Sequence, residues 1–149
     1  MSRRGLLKAT AAGLSASAVS SLAAFEPERR LRFRHTHTNE ELDVVYWKSG
    51  DYVPRSLEQI EYLLRDFRTN ETHSIDPELL DTLHLLYVKT LSQSHFEIIS
   101  AYRSPATNEM LRSRSKGVAK RSMHMFGKAI DVRLTYVEVS KIRNAGFYH

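Results

Sequence analysis

The chain has 149 residues, with 22 Lys and Arg against 17 Asp and Glu, so its formal net charge is +5. Its 42% hydrophobic and 26% charged residues are typical of one soluble globular domain and exclude a mainly disordered or fibrous chain. The absence of cysteine excludes a disulfide scaffold and a thiol nucleophile, so a bound metal would need histidine and carboxylate ligands.

The first 24 residues have the layout of an export signal. Arg3-Arg4 and Leu6-Leu7-Lys8 precede an uncharged run rich in Ala, Ser and Leu, which ends at Ala23-Ala24. These are the three parts of a secretory signal, and the paired arginines resemble the twin-arginine class. We therefore expect residues 1–24 to be removed on export to the periplasm, with no transmembrane segment in the mature chain. An amphipathic or disordered N-terminal arm is the alternative.

Residues 25–41 are polar and are predicted to be a mobile leading segment or a first edge strand. His35 and His37 in this segment are either two metal ligands on one face of a strand or, in the commoner case, polar surface. The β-rich run 42–47 is followed by a turn signal at Ser49-Gly50-Asp51. This pattern predicts a β-hairpin.

Two helices are predicted next. Ser56 and Gln59 form a capping box in front of an apolar stretch with helical spacing, which predicts a helix over 57–68. Asp76-Pro77 places an N-cap acid before a proline at the first helical position, and a stripe of leucines follows. His84 lies beside that stripe and is predicted to be a partly buried structural histidine rather than a ligand.

The last third of the chain alternates between strands and helices. Residues 95–102 read as a strand, Ser104-Pro105 opens a short helix, and 113–122 form a basic loop. Residues 128–134 alternate between apolar and polar side chains, as a half-buried strand does, and a final helix is predicted over 135–146. This order of elements indicates an α+β fold, with a small antiparallel sheet flanked by helices.

The clearest candidate for a functional motif is the stretch over residues 122–131, Ser-Met-His-Met-Phe-Gly-Lys-Ala-Ile-Asp. His124 would come from a loop, Gly127 permits a tight turn, and Asp131 would project from the polar face of a strand that the core holds by its other face. An imidazole and a rigidly held carboxylate suit zinc. The spacing alone is equally compatible with an exposed acid opposite a loop histidine.

Further stretches carry a family resemblance. The run Ile-Ser-Ala-Tyr-Arg-Ser-Pro-Ala-Thr-Asn over 99–108, Gly117-Val118-Ala119 and the motif from His124 to Asp131 together resemble the murein endopeptidase K group of periplasmic zinc peptidases. That group is related to the D-Ala-D-Ala carboxypeptidases with the hedgehog/DD-peptidase fold. The likeness extends over residues 42–144, so it covers nearly the whole mature chain.

The resemblance implies a role for each matching residue. His124 and Asp131 match the first two zinc ligands of the family, and Arg103 matches an arginine that faces the scissile group or a substrate carboxylate. A structural salt bridge to a nearby acid is the alternative for Arg103. Ser122 matches a small hydroxyl residue that contacts the substrate or supports a ligand.

The C-terminus departs from the family pattern. Members continue past the last helix into a segment that supplies the third ligand and the general-base region, whereas this sequence stops at His149. We therefore expect the catalytic base and the third ligand to lie beyond residue 149 and the chain to be C-terminally truncated. His149, which follows Asp131 by 18 residues, is the alternative third ligand.

The function indicated is that of an exported Zn2+ metallopeptidase acting on peptidoglycan peptides, impaired by loss of its C-terminal ligand segment. A non-catalytic murein-binding domain or a decayed pseudoenzyme is the first alternative. Because removal of the signal takes away three basic residues and no acidic ones, a nucleic-acid partner is not expected. A small nucleic-acid or anion binder remains the second alternative, and it would use a cluster of basic residues, namely Arg112, Arg114, Lys116, Lys120 and Arg121.

Overall fold

The computed structural model describes residues 27–92, 94–134 and 137. The predicted export signal, nearly all of the predicted final helix and His149 lie outside this part of the chain. The elements in chain order are β1 (Glu28–His35), β2 (Glu41–Lys48), β3 (Asp51–Tyr52), α1 (Pro54–Leu63), α2 (Pro77–Thr90), β4 (Phe96–Ser100), α3 (Pro105–Arg114), a 3₁₀ turn (Met123–Phe126) and β5 (Asp131–Leu134).

The five strands form one sheet in the order β3-β2-β1-β4-β5. The predicted α+β class is confirmed, but the sheet is mixed rather than wholly antiparallel, because β1 and β4 run parallel with Phe33 opposite Phe96. A parallel pair needs a long connection, and the chain between these two strands contains α1 and α2. The predicted hairpin corresponds to β2 and β3, which pair antiparallel.

The segment 25–41 was expected to be a mobile leader or an edge strand, and the structure corrects this. Residues 28–35 form β1, which lies between β2 and β4 inside the sheet. Its inward side chains are apolar or buried, whereas arginines point outward and pair with acids on β2, as Arg30 does with Asp43 at 3.2 Å. These cross-strand pairs explain how such a polar segment can occupy an interior position.

Two of the three helices begin where the sequence predicts. The Asp76 carboxylate accepts a hydrogen bond from the backbone N–H of Glu78 at 3.0 Å, and Ser104 caps α3 through the N–H of Thr107. The first helix differs, because α1 begins at Pro54 and ends at Leu63 instead of spanning 57–68. Proline suits the first helical position because it lacks the N–H that would be unpaired there.

The core lies between the sheet and the helices α1 and α2. It consists of buried aliphatic and aromatic side chains from all three, including Leu31, Phe33, Tyr46, Ile60, Leu64, Leu80, Phe96 and Ile98. Since Phe96 and Ile98 are fully buried, β4 is firmly held, and so is the chain that leaves its C-terminal end. None of the helices in the described part of the chain is long and apolar enough to cross a membrane.

Candidate functional site

The candidate site forms where β4 ends and β5 begins. These strands are antiparallel neighbours, so Ser100 at the end of β4 lies opposite Asp131 at the start of β5. The register is irregular between Ile98 and Ser100, which marks a local break in the ladder. Arg103 follows three residues later, so the sheet brings Arg103 and Asp131 to the same edge.

A tight turn delivers the histidine to this edge. His124 lies in the 3₁₀ turn, which ends at Gly127 in the left-handed conformation with φ of 64°. The carbonyl of Gly127 accepts a hydrogen bond from the N–H of Asp76 at 3.0 Å, and a Cβ at this glycine would collide with the carbonyl oxygen of Ser74. Gly127 therefore fixes the turn against the segment that precedes α2.

His124 is oriented by one hydrogen bond and faces one acid. Its Nδ1 lies 2.8 Å from the carbonyl oxygen of Ala101, and its Nε2 lies 3.6 Å from Oδ2 of Asp131. Burial lowers the pKa of the imidazole, and the positive charge of Arg103 acts in the same direction, against the carbonyl of Ala101 and the charge of Asp131. A neutral ring whose Nδ1–H donates to a carbonyl keeps its Nε2 lone pair available for a metal.

Arg103 is held in place on three sides. Its Nη2 lies 2.9 Å from Oδ2 of Asp131, its Nε donates to the hydroxyl of Ser100 at 3.1 Å, and its backbone N–H donates to the carbonyl of His124 at 3.2 Å. The salt bridge that was the alternative for Arg103 is thus present. Its side chain is 16% exposed and that of Asp131 is 50% exposed, so an incoming ligand can reach the carboxylate.

Ser122 stands just before the 3₁₀ turn and is half-buried. Its carbonyl oxygen accepts a hydrogen bond from the N–H of Met125 at 3.0 Å, whereas its side chain does not cap the turn. The hydroxyl of Ser122 therefore does not cap the 3₁₀ turn, although Ser122 occupies the N-cap position. A substrate contact through Ser122 stays a prediction.

Sequence reasoning did not identify Asp66, the residue that holds the chain in place next to Arg103. Asp66 is 1% exposed, and its Oδ2 accepts hydrogen bonds from both the N–H and the hydroxyl of Ser104 at 2.9 and 2.8 Å. This buried carboxylate fixes the chain immediately after Arg103. Its sequence signal was an acid inside the apolar run that had been assigned to the helix over 57–68. The ring of His73 also stacks on Tyr102, with 4.7 Å between the centroids.

The other histidines flagged in the sequence lie elsewhere. His35 is buried, and its Nδ1 accepts hydrogen bonds from the N–H groups of His37 and Thr38, so it serves the fold. His84 is half-buried near the ring of Tyr46, as predicted for a structural histidine. Across residues 27–92, 94–134 and 137, no three His, Asp or Glu side chains are grouped to hold a metal ion. His124 and Asp131 are thus two candidate ligands, not a complete set.

A mostly apolar groove of about 330 Å³ leads away from Asp131. One wall is the α2 surface around Leu83 and Leu86, and the other is formed by Ile99, Ile130 and Val132. The groove gives a substrate chain a surface to lie on beside the carboxylate.

Three comparisons with known proteins bear on this arrangement. A family model described as "Peptidoglycan L,D-endopeptidase MepK" matches residues 23–149. A protein of Haemophilus influenzae named "Probable peptidoglycan L,D-endopeptidase MepK" is 35% identical over 130 residues, which cover 87% of this chain and 70% of that protein. The Escherichia coli K12 protein named "Peptidoglycan L,D-endopeptidase MepK" is 36% identical over 135 residues, covering 91% and 74% respectively. No solved structure matches the chain.

Proposed function

The chain belongs to the peptidoglycan L,D-endopeptidase MepK family, and on that basis we propose that it is an exported zinc hydrolase that cleaves peptide bonds in peptidoglycan cross-links. The observation that carries the proposal is the convergence of His124 and Asp131 at one edge of the sheet, with Arg103 bonded to the same carboxylate. Family membership supports the substrate class, and this geometry supports the choice of residues.

The two candidate ligands fit zinc in chemistry and in spacing. Zinc binds imidazole nitrogen and carboxylate oxygen at about 2.0 to 2.2 Å, so two ligands of a tetrahedral site lie about 3.3 to 3.6 Å apart. The separation between Nε2 of His124 and Oδ2 of Asp131 is 3.6 Å. The hydrogen bond from Nδ1 to the carbonyl of Ala101 is the outer support that metal-bound histidines usually have.

Each neighbouring group has a task in such a site. A bound zinc ion supplies a Lewis acid that makes water nucleophilic near neutral pH. Ala101 fixes the tautomer of His124, and the hydroxyl of Ser100 orients the guanidinium of Arg103. Arg103 can then bind a substrate carboxylate or stabilise the oxygen on which negative charge develops during hydrolysis. The apolar groove beside Asp131 would hold the neighbouring part of the substrate.

The number of protein ligands to zinc determines how active the chain should be. Catalytic zinc sites usually have three protein ligands, so His124 and Asp131 alone should bind the ion weakly and leave its water poorly oriented. We propose that the third ligand and the general base come from outside the described residues. If the third ligand lies beyond residue 149, the 149-residue chain should cleave slowly, and adding the C-terminal segment of the Haemophilus relative should raise both zinc affinity and turnover.

The experiment is digestion of cross-linked muropeptides by the zinc-loaded protein, with and without that added segment, followed by chromatography and mass spectrometry. His124→Ala and Asp131→Asn should each abolish cleavage, whereas His37→Ala, which alters an exposed histidine in another loop, should not. Full activity that survives His124→Ala would show that the chemistry belongs to other residues.

A non-catalytic murein-binding domain is favoured by one observation, the ion pair between Arg103 and Asp131, which occupies the oxygen that zinc would need. In that case the protein would sediment with isolated peptidoglycan without taking up zinc. Hydrolysis would stay absent even after the C-terminal segment of a relative is added. Zinc stoichiometry and product analysis of the same samples separate the two functions.

Export is part of the proposal. We propose that residues 1–24 are a twin-arginine-type signal and that the mature chain begins near Phe25 in the periplasm. N-terminal sequencing of the protein from its native host tests this directly. Replacing both Arg3 and Arg4 by Lys should trap the precursor, whereas an intact protein that starts at Met1 in the cytoplasm of the unaltered strain would contradict it.

A further inference from the structure

Positive charge is concentrated in the part of the chain that carries the candidate site. Residues 103–134 contain eight Lys and Arg and only two acids, Glu109 and Asp131. Residues 27–102 contain nine Lys and Arg against thirteen acids. A field of one sign next to a cleft attracts ligands of the opposite sign and raises their local concentration. The segment 103–134, which carries most of the candidate site, is therefore basic, whereas residues 27–102 are acidic.

Part of this charge is already neutralised. Arg103 pairs with Asp131, Arg112 pairs with Glu109 at 2.7 Å, and Lys128 lies 3.5 Å from Asp76. Five other basic side chains are exposed and have no acidic partner within the described residues: Arg133 on β5, and Arg114, Lys116, Lys120 and Arg121, which run from the end of α3 to the 3₁₀ turn. Their charge is available to a ligand.

The loop between α3 and the 3₁₀ turn, which carries Lys116, Lys120 and Arg121, is fixed to the fold. Asn108 is 2% exposed, and its Nδ2 donates to the carbonyl oxygens of Ala119 and Lys120 at 3.2 and 3.3 Å. Because the amide is buried in α3, it holds the C-terminal part of the loop in one position. The loop is thus an anchored structure rather than a freely moving charged segment.

A contact joins the loop to the turn that bears the candidate zinc ligand. The guanidinium of Arg121 lies over the ring of Phe126, 5.8 Å from its centroid. Phe126 belongs to the same 3₁₀ turn as His124, and its side chain and that of Met123 are exposed. Arg121 therefore contacts the same turn that carries the candidate zinc ligand, at a point where that turn exposes apolar surface.

We propose that Lys120 and Arg121, together with Arg114 and Lys116, form a basic rim that recognises free carboxylates of the peptidoglycan stem peptides next to the bond that is cut. This proposal rests on the proposed function, because it names the groups of the peptidoglycan substrate that the protein recognises. Stem peptides containing diaminopimelate carry such carboxylates. Guanidinium and ammonium groups bind carboxylates by charge-assisted hydrogen bonds, and the exposed phenyl ring of Phe126 can cover the aliphatic part of the ligand.

The test measures binding and does not depend on turnover. The probe is a fluorescently labelled disaccharide tetrapeptide with free carboxylates, compared with the same compound after carbodiimide amidation, at low ionic strength. The full chain should prefer the free form. Combining Lys120→Gln with Arg121→Gln should weaken binding of the free form about 2- to 30-fold, the sum of two exposed ion pairs, and leave the amidated form unchanged.

The matched control combines Lys48→Gln with Arg55→Gln, which removes the same charge from exposed positions on β2 and α1. This variant should bind both probes as the parent does. The proposal is overturned if the rim variant keeps the parent's preference, if it loses both probes equally, or if an oligodeoxynucleotide competes better than the muropeptide at the same ionic strength.

Cleavage assays separate this idea from the proposed function. If the zinc-loaded protein with the added C-terminal segment cleaves nothing but still prefers free carboxylates through the rim, the proposed hydrolysis fails and the rim stands. If it cleaves free and amidated cross-linked muropeptides equally well, the hydrolysis stands and the rim fails. Where both hold, the rim variant should change KM rather than kcat.

Discussion

Gly127 determines whether His124 can reach the site. Its φ of 64° disfavours any side chain, and a Cβ would collide with the carbonyl of Ser74. Gly127→Ala should therefore lower the free energy of unfolding by about 3 kcal/mol, from left-handed strain plus the clash. Chemical denaturation of the parent and the variant measures this.

Gly117→Ala is the matched change for that experiment. The nearest atom to a Cβ at Gly117 is the hydroxyl of Ser115 at 3.7 Å, an ordinary contact, so stability should change little. Equal stabilities of the Gly127 and Gly117 variants would mean that the 3₁₀ turn tolerates another conformation.

Arg103 and zinc compete for one oxygen of Asp131. The guanidinium lies 2.9 Å from Oδ2 of Asp131 and repels a divalent cation bound to the same carboxylate. Arg103→Gln should therefore tighten zinc binding about 2- to 5-fold, the effect of removing one nearby charge across a solvated site. Isothermal titration with zinc measures the affinity.

The same substitution should lower kcat/KM at least 100-fold in the chain extended with the C-terminal segment of a relative, because the group that stabilises negative charge is lost. Arg103→Lys is the conservative control, since it keeps the charge and should keep the parent's zinc affinity. Weaker zinc binding in Arg103→Gln would show instead that the guanidinium orients Asp131 for the metal.

The sequence predicted the local features of the candidate site but not its long-range contacts. The period-two alternation around Asp131 predicted its polar face, and the glycine predicted the turn that returns His124. The ion pair between Arg103 and Asp131 joins residues 28 positions apart, and nothing local in the sequence selects that acid. Long-range partners of this kind follow from the sheet order, which the sequence pattern does not specify.

Among the elements, α3 depends most on a buried charge. Burial raises the pKa of Asp66, but hydrogen bonds from the backbone N–H of Arg68 and from the N–H and hydroxyl of Ser104 outweigh this effect and lower the pKa. Asp66→Asn keeps the shape but replaces one acceptor with a donor that faces the N–H and hydroxyl of Ser104. It should cost about 2 to 3 kcal/mol of stability at neutral pH.

The pH dependence gives a second measurement for the same change. A lowered folded-state pKa stabilises the fold above the unfolded value near 3.8, and this contribution is lost as the pH falls through the folded value. The difference between the parent and Asp66→Asn should therefore shrink at acid pH. Asp51→Asn, at the exposed start of β3, should behave like the parent throughout. A constant difference would rule out an ionised Asp66.

Element boundaries followed from local chemistry where a cap was present. Asp76-Pro77 and Ser104-Pro105 each combine an oxygen acceptor with a preset φ, and both helices begin there. The capping box at Ser56 was misleading because Pro54 begins the helix first and Ser56 is buried inside it. β1 was misjudged because its outward arginines hid the alternation of Leu31 and Phe33.

At the scale of the whole molecule, histidines should make the fold sensitive to mild acid. Burial lowers the pKa of His35, which is 1% exposed, and the charges of His37 and Arg65 act in the same direction against Glu40. Its Nδ1 accepts two backbone hydrogen bonds, so protonation would break both. The stabilisation is complete above the unfolded value near 6.5 and is lost as the pH falls through the folded value.

We expect His35 to account for up to about 2 kcal/mol of stability lost between pH 6.5 and 5. Burial also lowers the pKa values of His84 and His124, which add to the loss in the same direction. His35→Asn keeps an acceptor for the two N–H groups but cannot be protonated. Denaturation curves across this range should therefore show a flatter pH dependence in this variant.

His73→Asn is the control for that series, because His73 is exposed and, unlike His37, its charge does not act on His35. It should keep the slope of the parent, whatever its effect on absolute stability. If His35→Asn shows the same pH dependence of stability as the parent, the protons taken up on unfolding bind to other groups.

The parallel pairing of β1 with β4 also affects the order in which the strands assemble during folding. The contacts between β1 and β2 join neighbouring parts of the chain, whereas β4 can pair with β1 only after a loop containing two helices has closed. Such long-range closure is slow, so we expect the edge formed by β4 and β5 to assemble late in folding. Arg103, which follows β4, meets Asp131 on β5 only when this edge forms, so any hydrolytic competence arises only once the chain has nearly reached its native state.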